Sequence, residues 1–77
     1  MSKYRVVVRL KDGLSDPVGR AVRESLKSLG YDEVKDVRIG KFIEIVSENG
    51  DVSRVQEMAS RLLANPVIED YEVEEEA

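Results

Sequence analysis

The sequence predicts an α+β domain in which two helices cover one face of a four-stranded antiparallel sheet. Its 77 residues are enough for one small domain. With 42% hydrophobic and 36% charged residues, the composition is that of a globular chain. Apolar side chains recur every second residue in some segments and at helical spacing in others, and these segments follow in the order βαββαβ. We therefore expect residues 1–77 to form a single ferredoxin-like domain.

The first segment pair is a strand followed by a helix. Residues 4–10 alternate apolar and polar side chains, which indicates a β-strand. Asp16 is a good N-cap acceptor, and Pro17 suits the first helical position. A stripe of apolar residues at helical spacing predicts a helix over 17–29, which Gly30 ends at the position where a left-handed residue is favoured.

The next segment pair is a β-hairpin. Residues 34–39 and 42–46 both contain alternating apolar side chains. Gly40 and Lys41 separate them, and glycine can adopt the positive φ that a tight turn requires. This hairpin would supply the second and third strands of the sheet.

The last segment pair is a second helix and a final strand. Asp51 is a good N-cap for a helix that Asn65 and Pro66 end, because the residue before a proline is pushed out of the α region. Residues 67–73 predict the final strand, and the acidic residues 74–77 predict a frayed tail. Seven residues are expected to set the geometry of the turns and helix ends: Gly13, Asp16, Pro17, Gly30, Gly40, Asn65 and Pro66.

One face of such a sheet is left open, because this chain has no third layer to cover it. That face is expected to mix apolar and charged side chains, as a polar-rimmed protein interface does. The alternative is a solvated face with a few tolerated apolar residues. The candidate interface residues on this face and its rim are Arg5, Val7, Arg9, Arg38, Lys41, Phe42 and Val46.

The composition excludes several kinds of chemistry. The chain contains no Cys and no His, so it lacks a thiol nucleophile, the commonest general base and the usual ligands of zinc, iron and copper. Its glycines do not have the spacing of a phosphate-binding loop. The net charge of −4 argues against sequence-independent binding of nucleic acid. We find no signal peptide and no apolar stretch that could span a bilayer, which predicts a soluble cytoplasmic protein.

Two weaker site hypotheses have simpler explanations. The carboxylates of residues 69–76 could bind magnesium or calcium, but a solvated acidic edge that prevents strand pairing explains them as well. The N-terminus of the first helix could hold an anion, but Asp16 is better explained as its cap. We therefore predict no catalytic, cofactor-binding or metal-binding residue in this chain.

From the residues alone, two other functional classes stay open. A dimeric ligand-binding regulatory module of the amino-acid-sensing type has the same βαββαβ order. RNA-recognition modules also have it, but they stack bases on aromatic residues, and the open face here offers Phe42 alone.

Three segments resemble the PurS family, the small subunit of phosphoribosylformylglycinamidine synthase. They are KDGLSDPVG at 11–19 with Ala21 and Val22, LGY at 29–31 followed by DVRIGKFIE at 36–44, and LLANPVIEDYEV at 62–73. The sequence departs from the family in its short polar link at 47–51.

The resemblance implies a non-catalytic accessory subunit that joins a synthetase and a glutaminase subunit in de novo purine synthesis and supports ammonia transfer between them. It implies a homodimer or a dimer of dimers, with no nucleic-acid or membrane partner. The complex is a glutamine-dependent ligase that uses ATP and magnesium, and the resemblance assigns neither cofactor to this chain.

Overall fold

Three strands and two helices make up the computed structural model, which describes residues 1–76. In chain order they are β1 (Ser2–Leu10), α1 (Pro17–Ser28), β2 (Lys41–Ser47), α2 (Val52–Met58) and β3 (Glu69–Glu76). A π-helical turn, Ala59–Leu63, continues α2 without a break. The α+β class and both predicted helices are confirmed.

The sheet has the order β2-β1-β3, and both pairings are antiparallel. In its centre, Val6 lies opposite Ile43 of β2 and Val73 of β3. Since side chains of a strand alternate between faces, these three residues share one face. Tyr4 and Val8 flank Val6 on β1, and all three are fully buried.

The prediction of four strands is wrong for the described residues. Residues 34–39 form no strand, so Gly40 is not in a hairpin turn, and its φ is not positive. The backbone N–H of Ile39 instead donates to the Asp16 carboxylate over 2.8 Å. A Cβ at Gly40 would overlap the carbonyl oxygen of Val8, so Gly40 serves a close approach of two backbones. These contacts tie the segment to α1 and β1.

The second helix supplies the other half of the core. Val55 and Ala59 are buried against the β1 side chains, and Ala64 follows them at the end of the π-helical turn. Asp51 caps α2, accepting from the Ser53 N–H over 3.0 Å. The predicted N-cap is therefore confirmed.

The first helix does not cover the sheet as the fold prediction required. Among residues 1–76, the buried core cluster contains no side chain of α1. Its predicted start is confirmed, since Asp16 accepts from the Gly19 N–H over 2.8 Å and Pro17 is the first helical residue. Its predicted end is confirmed by Gly30, which has a φ of 101°.

The turn at Gly13 and the C-terminal residues can also be compared with their predictions. Gly13 has a φ of 85°, as its predicted place in a turn requires. Residues 74–76 are not frayed but pair with β1, where Glu74 lies opposite Arg5 and Glu76 opposite Lys3. The carboxylates of Glu74 and Glu76 form ion pairs with Arg5 and Lys3 of β1. The remainder of the predicted tail, Ala77, lies outside the described residues.

Candidate interaction surfaces

The open face of the sheet lies opposite the helix-covered face. The pairs Arg5 with Glu44 and Val7 with Phe42 lie on it, because they alternate with the buried residues of β1. The predicted sharing of this face by five candidate interface residues is confirmed: Arg5, Val7, Arg9, Phe42 and Val46.

A row of cations runs down the middle of this open face between carboxylates. The Lys3 Nζ lies 2.7 Å from Glu44 and 3.4 Å from Glu76, which raises the pKa of Lys3, chiefly through Glu44. Arg5 and Arg9 each place a guanidinium nitrogen 3.0 Å from a carboxylate of β3. These pairs are solvent-accessible, so each contributes little to stability. The acidic edge is therefore neutralised within the sheet.

An apolar patch adjoins the row of cations. Phe42 and Val46 are each 61% exposed on β2, and Val7 lies beside Phe42. No side chain of this protein covers the patch in the described range. Its role in contacting another protein stays a prediction.

Arg38 and Lys41 have roles within the fold that the sequence did not indicate. An Arg38 Nη atom donates to the carbonyl oxygen of Leu10 over 2.8 Å and to that of Lys11 over 3.2 Å. The Lys41 Nζ donates to the carbonyl oxygen of Leu63 over 2.9 Å, at the end of the π-helical turn. Both cations bind carbonyl groups at the ends of secondary-structure elements, so a change at either position affects more than a surface contact.

Asp16 and Asn65 organise the two turns that matter most for these surfaces. The N–H groups of Ile39 and then Gly19 lower the pKa of the Asp16 carboxyl. Asn65 accepts from the Val67 N–H over 3.0 Å, and its backbone N–H donates to the Glu69 carboxylate over 2.7 Å. The expected role of Asp16 as a helix cap is thereby confirmed, and the π-helical turn ends at Leu63, two residues before Asn65.

An exposed apolar stripe lies on α1, where the fold prediction had placed it against the sheet. Val18 is 58% exposed and Leu29 is 75% exposed, and Val22 lies between them on the same side of the helix. On another side of the helix, Arg23 and Leu26 are partly buried, and Arg23 lines a cleft together with residues 35–38. The helix therefore turns its apolar stripe away from the rest of its own chain. Only the three-dimensional placement of α1 shows this.

A third apolar surface lies where the π-helical turn leads into β3. Leu62 is 83% exposed and Val67 is 78% exposed. Met58, with Arg54 and Arg61, extends the surface along α2. The sequence predicted that Leu62 lies on the apolar face of the second helix. The helical spacing of apolar residues is interrupted at the π-helical turn, which contains Leu62.

The described residues contain no cluster of metal-ligating side chains. Within residues 1–76, no three carboxylates lie close enough together to hold a metal ion. Over the same range, none of the helices has the length and apolar character needed to cross a membrane.

Comparison with known proteins identifies the family. The PurS family model, described as phosphoribosylformylglycinamidine (FGAM) synthase, matches residues 3–77. The chain belongs to the PurS family. The recognition made from the three sequence segments is therefore confirmed.

Individual relatives are PurS subunits, and they align with this chain over nearly their full length. The chain is 49% identical to phosphoribosylformylglycinamidine synthase subunit PurS of Bacillus subtilis, over 99% of this chain and 94% of that protein. It is 41% identical to the PurS subunit of Methanocaldococcus jannaschii, over 99% and 96% of the two chains.

Solved PurS structures share the fold. A structure of Bacillus subtilis PurS superposes with a TM-score of 0.91 at 49% identity and covers 100% of both chains. A chain in the structure of PurLQS from Thermotoga maritima has a TM-score of 0.80 at 32% identity, covering 97% of this chain and 96% of that one.

Proposed function

We propose that this chain is a non-catalytic accessory subunit of phosphoribosylformylglycinamidine synthase that joins the synthetase and glutaminase subunits and supports ammonia transfer in the cytoplasm. Membership of the PurS family supports the assignment to this enzyme. The Methanocaldococcus jannaschii relative is described as one of the subunits of formylglycinamide ribonucleotide amidotransferase in the purine biosynthetic pathway. The Thermotoga maritima relative belongs to a PurLQS structure.

The observation that carries the proposal is the excess of exposed surface on this chain. A folded monomer of 8.7 kDa is expected to expose about 4,700 Å². This chain exposes 5784 Å². The excess of roughly 1,000 Å² is comparable with the share of one partner in a stable interface, about 800 Å². We infer that the chain completes its burial by binding other chains.

The shape of the chain supports the same inference. A compact domain of this length has a radius of gyration of about 11.5 Å. The Cα radius of gyration is 15.6 Å, and the molecule measures 47 × 27 × 14 Å. Such a thin, elongated molecule suits a bridge, since it presents several faces to different neighbours.

The chain has three separate apolar surfaces, and a bridging subunit needs more than one contact surface. The α1 stripe contains Val18, Val22 and Leu29, the open-face patch contains Val7, Phe42 and Val46, and the corner surface contains Leu62 and Val67. Exposed apolar groups of this kind mark interaction sites when they are contiguous and have polar rims. Three surfaces match the three classes of partner in the proposal: a second copy, the synthetase and the glutaminase.

The chemistry of the complex is assigned to the other subunits. The chain lacks Cys and His, so it offers neither a thiol nucleophile nor an imidazole base for releasing ammonia from glutamine. We propose that it needs no cofactor of its own and that ATP and magnesium act on the synthetase.

We assign self-association to the α1 stripe. The exposure of this stripe is unusual for a chain that acts alone, because an amphipathic helix normally buries its apolar side. A second copy would let both copies bury their stripes together, as an isologous interface does. The product would be a homodimer, and a dimer of dimers would need a second contact between copies.

The decisive experiment measures amidine formation by the purified synthetase and glutaminase subunits, with and without this chain. We expect glutamine-driven turnover to depend on the chain, while turnover driven by free ammonia proceeds without it. If the chain changes neither rate, the proposed bridge is wrong.

Three variants then separate the surfaces. Val22→Asp should reduce the solution mass to that of a monomer, while Phe42→Asp and Leu62→Asp should each lower glutamine-driven turnover by weakening a contact with another subunit. Glu24→Gln, on the polar side of α1, is the matched control and should retain both mass and turnover. An unchanged oligomer mass in Val22→Asp would contradict the assignment of the α1 stripe.

A further inference from the structure

A basic cleft lies between the first turns of α1 and the segment that follows this helix. It has a volume of about 330 Å³ and opens to solvent. A cleft of this size suits a small ligand. Its charged lining consists of four cations and two carboxylates, namely Arg20, Arg23, Lys35 and Arg38 with Asp16 and Asp36. The cleft thus has an excess of positive charge on a chain whose net charge is −4.

Three of these cations have capacity to bind a ligand. Among residues 1–76, no carboxylate lies within 4.0 Å of the charged groups of Arg20 or Lys35. Arg23 lies 3.8 Å from the exposed carboxylate of Glu24, and its Nε is buried without an acceptor. An unpaired guanidinium donor is costly, so an anion that supplies acceptors to Arg23 would stabilise it.

The fourth cation and the capping carboxylate are already engaged. Arg38 donates to backbone carbonyl oxygens at the end of β1. Asp16 accepts from the N–H groups of Gly19 and Ile39. Since the Asp16 carboxylate already accepts from the Gly19 N–H and places a negative charge at the helix terminus, binding in this cleft depends on the side-chain cations.

We infer that this cleft binds a phosphate group, held by Arg20, Arg23 and Lys35. A guanidinium can donate two parallel hydrogen bonds to phosphate oxygens, and the Lys35 ammonium adds a point charge. The combined charge of three cations suits a phosphate dianion better than it suits a ligand with a single carboxylate. The inference goes beyond the proposed function and does not rest on it, because the binding residues all belong to this chain.

The test is a titration of the intact chain followed by its amide resonances. Inorganic phosphate and ribose 5-phosphate are added in separate experiments at constant ionic strength, with sodium chloride as the reference salt. We expect saturable shifts confined to residues 13–38. Equal affinity for the two probes identifies free phosphate as the ligand, and tighter binding of ribose 5-phosphate identifies a phosphate monoester.

Two variants make the test specific. The double variant Arg20→Ala, Lys35→Ala should bind at least tenfold more weakly, with an unchanged circular dichroism spectrum because both side chains are exposed. Arg61→Ala removes a cation outside the cleft, one that pairs with Glu57, and should bind as the wild type does. The inference is overturned if no saturable shift occurs, if Arg61→Ala weakens binding as much, or if sodium chloride produces the same shifts. The glutamine-dependent assay plays no part here, so this result and that of the proposed bridge are independent.

Discussion

Replacing Gly19 by alanine should destabilise the protein, although alanine is the better helix former. Gly19 is buried in the first turn of α1. A Cβ at this position would overlap the carbonyl oxygen of Val37 and would lie 2.8 Å from Asp16 Oδ2. The obstacle is partly backbone, so it cannot be relieved by rotating a side chain. Accommodating the methyl group requires α1 to move away from the segment that Asp16 holds.

Two opposing contributions set the expected magnitude. Helix propensity alone favours alanine over glycine by about 1 kcal/mol. Overpacking a tightly filled site costs typically about 1–3 kcal/mol. Displacing the Asp16 carboxylate also weakens its hydrogen bonds to Gly19 and Ile39. We therefore expect Gly19→Ala to lower the free energy of unfolding by about 1–2 kcal/mol, which lowers Tm by at least about 4 °C in a domain of this size.

Urea unfolding followed by far-ultraviolet circular dichroism measures this difference. The protein concentration must be the same for all variants, because self-association contributes to the apparent stability. Ser25→Ala is the matched control: it raises helix propensity at an exposed position of the same helix and should stabilise slightly, by about 0.3–0.5 kcal/mol. If Gly19→Ala is as stable as the wild type, the close approach of Val37 does not constrain α1 and the reasoning is wrong.

Two further predictions concern the same junction. Because the N–H groups of Ile39 and Gly19 lower the folded-state pKa of Asp16, its carboxylate stabilises the fold above the unfolded pKa of about 4, and this contribution is lost as pH falls through the folded pKa. Urea midpoints of Asp16→Asn should therefore lie below the wild type at neutral pH and converge toward it in acid; parallel pH profiles would contradict this. Arg38→Ala removes a cation from two backbone carbonyl groups and should lower stability by about 1–2 kcal/mol, with Arg38→Lys restoring only part of the loss. An Arg38→Ala variant with an unchanged urea midpoint would show that these bonds are incidental.

Local features of the fold were predictable from the sequence because their causes are local. Asp16 and Pro17 specify where α1 begins, and Gly30 specifies where it ends, through side-chain and backbone preferences of single residues. The alternation in β1 likewise predicted which residues are buried and which lie on the open face. For that reason five of the seven candidate interface residues were placed on the correct face.

The errors concern contacts between distant parts of the chain. Residues 34–39 look like a strand, but the bond from the Ile39 N–H to Asp16 and the approach of Gly40 to Val8 hold them elsewhere. No periodicity reports such contacts. The outward direction of the α1 stripe was missed for the same reason, since an amphipathic helix has the same pattern whether its own chain or another one covers it.

The charged row of the open face also protects strand alignment during folding. On β3, Glu72 and Glu74 alternate with Tyr71 and Val73, so a slip of one residue against β1 would turn the carboxylates toward Val55 and Ala59. That misalignment would bury ionised groups without partners and expose the aromatic and aliphatic side chains to water. The carboxylates, whose ion pairs are individually weak in the folded protein, thus have a second effect: they make the misaligned sheet less stable than the native one.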